Sequence, residues 1–508
     1  MPTLYLAEKP SQAKLIAQTL GATTFAARAW HSPDIVVIPA RGHMLNLATA
    51  DEYVGNGRWT LSDLPILPNQ WIWNISDEPE VREQFAAIGE YLKHATNVVI
   101  ATDPDEEGEV IGRAILLAHN YKGKVSRLWT SALDPNGLSN ALSNLQPISA
   151  TDSYYRAGMI RRELDWLFGM NFSRAYSVST GRTVHIGRVK TRLLAELVNQ
   201  EEVVSQYVPT KMPHTTSTIG GFSFDFTEEP PIDASHHGIT QPTRAHVTDF
   251  NVLELLPPPQ PYSLTSLLAD AADSGVPIQA GYAAAQALYE QGSISYPRSN
   301  SRQLPGANHN SSFAAHSALI QTAPIQASAT HEMNILYDLI GNNFSLNTGE
   351  TSFSRVSLAI DIGGSTHVLQ GEVPSDFHFD VGSDIELLNI STEFVDLKTP
   401  SRFTEARFLR WMEQNSLGTD ATRVDAITSL ERDKVATTIM GGQFIPTLLG
   451  KHLYRSLPSQ LTGHNMNQIT LESISAARRG VDMDRYVIEA MKFIIGSLPQ
   501  RTVLSRST

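Results

Sequence analysis

Val98–Glu109 reads VVIATDPDEEGE, an apolar run that passes directly into five acidic side chains and two turn-formers. Val98, Val99, Ile100 and Ala101 have the continuous apolar character of a strand covered on both faces, and Asp103, Pro104 and Asp105 end it abruptly. After Gly108 the pattern VIGRAILLAH predicts a helix. A strand, an acidic turn and a helix in that order put the carboxylates at the carboxyl end of a parallel strand, where open α/β sheets build their sites. Asp103, Asp105 and Glu107 alternate, so their side chains can converge on one point. Three such carboxylates repel one another unless neutralised, and a hard divalent cation such as Mg²⁺ does this. For such a string taken alone, a solvated acidic turn is the plain alternative.

The N-terminus repeats the arrangement. Thr3–Ala7 (TLYLA) predicts a second buried strand, followed by Glu8, Lys9 and Pro10 and then by a helix with Ser11 as its cap and Gly21 as its stop. Glu8 therefore stands at an equivalent strand end and adds a fourth carboxylate, with Lys9 beside it. AEKPS followed about a hundred residues later by DPDEEGE resembles the Toprim domain, the metal-binding α/β module of type IA and type II topoisomerases, bacterial primases and some nucleases. That resemblance alone does not choose among those activities.

At 508 residues and 41% hydrophobic content the chain is long enough for several domains with cores of their own. It has no run of eighteen apolar residues and no leader-like start, so the expected location is the cytoplasm, on nucleoid or plasmid DNA, with no membrane. Zero cysteines exclude disulfides, a thiol nucleophile and a cysteine-ligated zinc ribbon. A net charge of −13 argues against nucleic acid only on average. Residues 151–192 carry Arg156, Arg161, Arg162, Arg174, Arg182, Arg188, Lys190 and Arg192 against Asp152, Glu163 and Asp165. Aromatic rings interleave with those cations in SYYRAGMIRRELDWLFGMNFSRAY (153–176), a predicted long helix with the make-up of a strand-binding groove.

From about 205 to 255 the period changes to alternation, and it returns at Val356–Ile362 and near Asp384–Ile390. One sheet domain interrupted by a helical insertion is expected. The insertion contains IQAGYAAAQALYEQG (278–292), a helix ending at glycine, and then SISYPRSNSRQLP. Tyr296 before Pro297 is held extended, and Arg298 two residues on can share its phosphate target.

Taken in order, these elements resemble type IA DNA topoisomerases, and within them the topoisomerase III branch in a short form without a zinc-binding C-terminal region. The elements are the acidic strand ends, RGHMLNL at 41–47, RRELDWLFGMNFSRAY, GRVKT at 187–191, LYEQGSISYPR, HSALIQT at 316–322, TEARFLRWMEQNSLGTDATRVDAI at 404–427 and FIPTLLG at 444–450. The chain departs from the family pattern at Glu106 (usually arginine), Lys190 (glutamine), Arg192 (proline), Ser299 and Asn300 (threonine and aspartate), Gln321 and Asp420 (proline).

The resemblance implies a multidomain fold, α/β plus mainly α, with split β and helical domains forming a toroid around a central hole. Toprim would occupy 1–150, a helical DNA-binding domain 151–202 and 400–508, a β-rich arch 203–257 and 350–399, and a helical domain carrying the tyrosine 258–349. It implies that Tyr296 attacks a phosphate of single-stranded DNA with help from Arg298, Lys9 and His316, leaving a 5′-phosphotyrosine. Glu8 would protonate the departing 3′-oxygen, and Glu8, Asp103, Asp105 and Glu107 would hold Mg²⁺. The implied DNA contacts are His43, Arg161, Arg162, Asp165, Arg174, Gly187, Arg188, Val189, Lys190, Thr191, Arg192, Thr419, Thr422 and Arg423. No nucleotide is needed, because one phosphodiester is exchanged for another, and no Walker-type loop is present. The chain is expected to act as a monomer on single-stranded DNA or single-stranded regions, with a helicase or other DNA-processing partner. Glu106 is expected to alter metal affinity. A Toprim nuclease or primase, or an inactive DNA-binding relative, are the alternatives.

Overall fold

The structure is a computed structural model that describes residues 2–55, 57–227, 243–298, 302–304, 317–349, 352–396, 399–481 and 484–499. It divides into two compact units, one of residues 1–199, 262–340 and 403–508, the other of 200–261 and 341–402.

The first unit opens on a seven-stranded sheet whose central strands are parallel. Thr3–Ala7 lies between Ile35–Pro39 and Asn97–Ala101, with Ala7 opposite both Pro39 and Ala101. That register brings Glu8 and Asp103 side by side just past the carboxyl ends of two neighbouring strands. Both faces of these strands are covered: Leu4, Leu6, Val98 and Ile100 pack with Ile111 and Ile115, while Tyr5, Ala7, Val99 and Ala101 join the larger core. Full burial accounts for the unbroken apolar runs read in the sequence.

The helix after the acidic turn runs over Glu106–Ala118, four residues earlier than the apolar pattern from Val110 predicts. Asp105 is its cap, accepting from the Gly108 N–H at 2.7 Å, and Glu106, Glu107 and Glu109 crowd its first turn, where the helix dipole favours negative charge. Gly108 is required here, because a Cβ on it would stand 2.2 Å from the Asp103 carbonyl oxygen. The first helix is Pro10–Thr19, capped at Lys9 rather than at Ser11; the Ser11 hydroxyl instead donates to Glu290 at 2.7 Å.

Helices and two small two-stranded sheets, 45–47 with 73–75 and 436–439 with 443–446, form the rest of this unit. Asp152–Thr180 is a single helix of 29 residues, ended by Gly181 in the left-handed region, and it buries Phe168 and Phe172 against Phe493. The tyrosine segment follows Ile278–Glu290, with Gly292 at φ +75° turning the chain into Ser293–Tyr296. Ile320 and Thr322 pair with Ser295 and Ser293 through backbone hydrogen bonds.

The second unit is a closed six-stranded antiparallel barrel, in the order 212–219, 222–226, 365–374, 353–362, 243–256, 384–395 and back to the first. Its interior is filled by Ile219, Phe224, Val247, Val356, Leu358, Ile360, Leu369 and Leu387. Alternation in the sequence signals the strands; closure depends on Met212–Thr218 pairing with Leu388–Val395, a contact that no local pattern encodes.

Candidate active site

The acidic loop is held by a buried arginine. The Arg127 guanidinium, fully enclosed, donates to the carbonyls of Ile100, Thr102 and Asp103 and to Glu109, which Arg113 also pairs. These bonds fix the strand end from beneath through its carbonyls.

Asp103 is enclosed, and its carboxylate accepts from Lys9 Nζ at 2.8 Å and from the Gln12 amide. Glu8, 4% exposed, accepts from the Asp103 N–H at 3.2 Å and lies 3.3 Å from Lys9. Burial and then the Asp103 charge push the Glu8 carboxyl up to about 8, against the pull of Lys9. Burial works against the Lys9 ammonium, yet Glu8 and Asp103 outweigh it and raise its proton affinity. Asp105 is raised chiefly by burial, whereas a hydrogen bond with His43 draws Glu107 down to about 2.

Tyr296 comes from 191 residues away and is 1% exposed; its hydroxyl donates to Asp105 Oδ2 at 2.7 Å. Its N–H is bound to the Ser131 carbonyl, and its ring meets Tyr289 edge-on at 5.2 Å. Burial, then Asp105 and Asp103, hold the phenol well above its usual pKa, so it stands protonated. Arg298 Nη1 lies 3.8 Å from Asp105 and 3.6 Å from Glu107, and its Nε is buried without a hydrogen-bond partner among the described residues. His316, Ser299 and Asn300 lie outside the described residues.

The expectation that Asp103, Asp105 and Glu107 converge on one point is not met by the side chains as they stand. Among the described residues no three carboxylate or imidazole groups are gathered to hold a cation. Asp103 is turned to Lys9, Asp105 to Tyr296 and Gly108, and Glu107 to His43 at 2.7 Å. The donor set nevertheless fits a hard divalent ion: it offers carboxylate oxygens alone, from one strand end and one helix start, and burial raises the proton affinity of Glu8 and Asp105, a cost that a bound cation would relieve.

Of the residues expected to meet DNA, His43 and Arg162 lie beside the carboxylates, with Arg162 Nη2 2.8 Å from His43 Nδ1. Arg161 pairs with Glu106 at 2.6 Å. Four expectations are corrected by burial. Arg174 is paired with Asp51 and stacked on Trp59; Arg188 is paired with Asp165 and Asn467; Thr191 accepts from the Gly187 N–H; Arg423 is bound to Asp420, Thr265 and the Leu417 carbonyl. All four are 4–6% exposed and serve to hold helices together rather than to face a strand. Arg192 stacks on Trp411 and pairs with Glu196. Val189 packs against Gly418, and Thr419 and Thr422 form a reciprocal helix cap.

The sequence reading missed a cavity of about 260 Å³ next to GRVKT. Leu194, Leu430, Val435, Leu449, Leu453 and Leu457 form its apolar wall, and Arg182, His185, Lys190 and Arg432 its mainly basic rim, with Asp433 between His185 and Arg432. Arg182 and Lys190 were already contained in the basic count over 151–192; His185 and Arg432 were not. The missed signal is the pairing of that segment with residues 429–457.

The geometry defines a Toprim sheet whose acidic edge receives a tyrosine from a helical insertion. The Toprim domain profile matches residues 3–133, and that of the DNA topoisomerase family matches 149–314 and 371–481, more than half of the chain. The chain belongs to the type IA DNA topoisomerase family, and its Toprim domain is of a kind that generally binds a divalent metal. Curated relatives from several bacteria carry the name DNA topoisomerase 3. One from Shouchella clausii is 32% identical over 59% of this chain and 43% of its own length. One from Bacillus cereus is 24% identical over 96% of this chain and 80% of its own length, and one from Staphylococcus aureus is 23% identical over 97% and 81%. The fold also matches full-length topoisomerase I from Thermotoga maritima, with a TM-score of 0.76 at 19% identity over 98% of this chain and 90% of that one. No helix among the described residues is long and apolar enough to cross a membrane.

Proposed function

We propose that this chain cleaves and reseals single-stranded DNA, or single-stranded regions of duplex, through a 5′-phosphotyrosine link at Tyr296, and so changes DNA topology without a nucleotide. The observation that carries the reading is the 2.7 Å hydrogen bond from the Tyr296 hydroxyl to Asp105, inside a cluster of carboxylates that a phenol has no structural reason to join.

In this reading the Tyr296 oxygen attacks phosphorus as its proton passes toward Asp105. Arg298, whose buried Nε has no partner among the described residues, and Lys9 meet the phosphate oxygens. Glu8, with a carboxyl near 8, is protonated at neutral pH and gives that proton to the departing 3′-oxygen. Resealing reverses the transfers: Glu8 takes the 3′-hydroxyl proton, the oxygen attacks phosphorus, and the phenol leaves. Asp103, Asp105 and Glu107, with Glu8 beside them, are the residues that would hold a divalent ion, Mg²⁺ in our reading, which supplies charge neutralisation to the phosphate. Lys190, Arg182, His185 and Arg432 would steer the strand past the apolar cavity, which has room for an unstacked base.

The test is relaxation of negatively supercoiled plasmid in Mg²⁺ with no ATP. Wild type should relax it and Tyr296→Phe should not. Activity that survives Tyr296→Phe would point to a Toprim nuclease instead.

A further inference from the structure

Glu106 stands between Asp105 and Glu107 at the first position of helix 106–118, and it is 6% exposed. Its negative charge beside the metal-holding carboxylates is offset rather than free. Oε1 accepts from Arg478 Nε at 3.0 Å and Nη2 at 2.5 Å, and Oε2 lies 2.6 Å from Arg161 Nη2. The backbone at the same point is pinned by Gly158, where a Cβ would come within 2.5 Å of the Glu106 carbonyl oxygen. Arg478 belongs to the last turn of helix 465–478, 372 residues further along the chain.

We propose that the Glu106–Arg478 pair is a positioning device for the divalent-cation site, which makes helix 465–478 a working part of that site. A fork from Arg478 onto a single carboxylate oxygen fixes the azimuth of the first helical turn, and with it the directions of Asp105 and Glu107. Arg478 keeps 54% of its side chain accessible, and the buried Glu106 carboxylate retains Arg161 when Arg478 is removed, so the loss of Arg478 alone costs little stability. Its effect lies in orientation. The proposal rests on the reading of Asp103, Asp105 and Glu107 as the cation's holders.

Charge and position predict opposite signs, which makes the pair testable. Loss of Arg478 leaves the cluster more negative, so charge alone would tighten cation binding, whereas loss of position weakens it. Mn²⁺ is titrated by calorimetry into the full chain, without DNA. Arg478→Gln and Glu106→Gln should each weaken binding about tenfold, and the double variant should be no weaker than either single one. Thermal melting should move little. Binding that is unchanged or tighter in Arg478→Gln, or losses that multiply in the double variant, would overturn the proposal. If Arg478→Gln fails to fold, Arg478→Lys decides: it keeps the charge without the fork, so weaker binding supports the device and wild-type affinity refutes it. A wild-type chain that binds no Mn²⁺ would instead remove the underlying reading of the carboxylates, a distinguishable result.

Discussion

The Tyr296 hydroxyl donates to the Asp105 carboxylate over 2.7 Å, joining the insertion to the Toprim edge across 191 positions of sequence. As the groups stand, the phenol is protonated and Asp105 is satisfied, so the contact is a resting state that a phosphate and a cation must displace. Replacing Asp105 by Asn should therefore weaken Mn²⁺ binding and lower DNA cleavage while leaving single-strand affinity in the absence of metal nearly unchanged. Fluorescence anisotropy with a labelled oligonucleotide separates the two effects.

Glu8 makes stability depend on pH. Its carboxyl ionises near 4.5 when unperturbed and near 8 in the folded chain. Between those values the folded state keeps a proton that the unfolded state has lost, so stability falls as pH rises from about 4.5 to about 8. In metal-free buffer, Glu8→Gln should gain on wild type across that window by roughly a few kcal/mol at its upper end. Melting curves of the two proteins that run parallel from pH 5 to about 8 would contradict the buried, protonated state of Glu8.

Arg127 and Glu109 are both fully enclosed, so removing one strands the other. Arg127→Met should cost about 3 kcal/mol or more in urea unfolding, with Arg113 limiting the loss by keeping one bond to Glu109. The same variant should weaken metal binding, because the carbonyls of Thr102 and Asp103 lose their anchor.

Gly108→Ala should cost about 1–3 kcal/mol through overpacking, since the new methyl group meets the Asp103 carbonyl. Its activity loss should exceed what the fraction unfolded explains.

The basic residues divide into two groups with different behaviour. Lys190→Ala and Arg182→Ala should lower single-strand affinity and reduce the salt slope by about one unit each. Arg174→Ala should leave that slope unchanged and lower the melting temperature, because the guanidinium is spent on Asp51 and Trp59. Filter binding between low and moderate salt distinguishes them.

This division marks how far the sequence could be read. The strand before Asp103 and the helix after it were legible because full burial leaves unbroken apolar runs, and acid is conspicuous against them. The early start of that helix was hidden because Asp105, itself a candidate ligand, is also the cap. Which arginines face outward was not legible. Arg174, Arg188 and Arg423 are withdrawn by partners far away in sequence, such as Asp51 and Asn467, and periodicity carries no record of those pairs. Glu106 illustrates the same limit. Read alone it adds charge beside the metal-holding carboxylates, and only the fold brings Arg478 to meet it.

The most direct test mixes the chain with a single-stranded oligonucleotide and Mg²⁺ and stops the reaction with denaturant. The digested adduct is then mapped by mass spectrometry. The account predicts a covalent link between Tyr296 and a 5′-phosphate, with a free 3′-hydroxyl on the released fragment and no adduct from Tyr296→Phe. An adduct on another residue, or strand cleavage that leaves no protein attached, would contradict it.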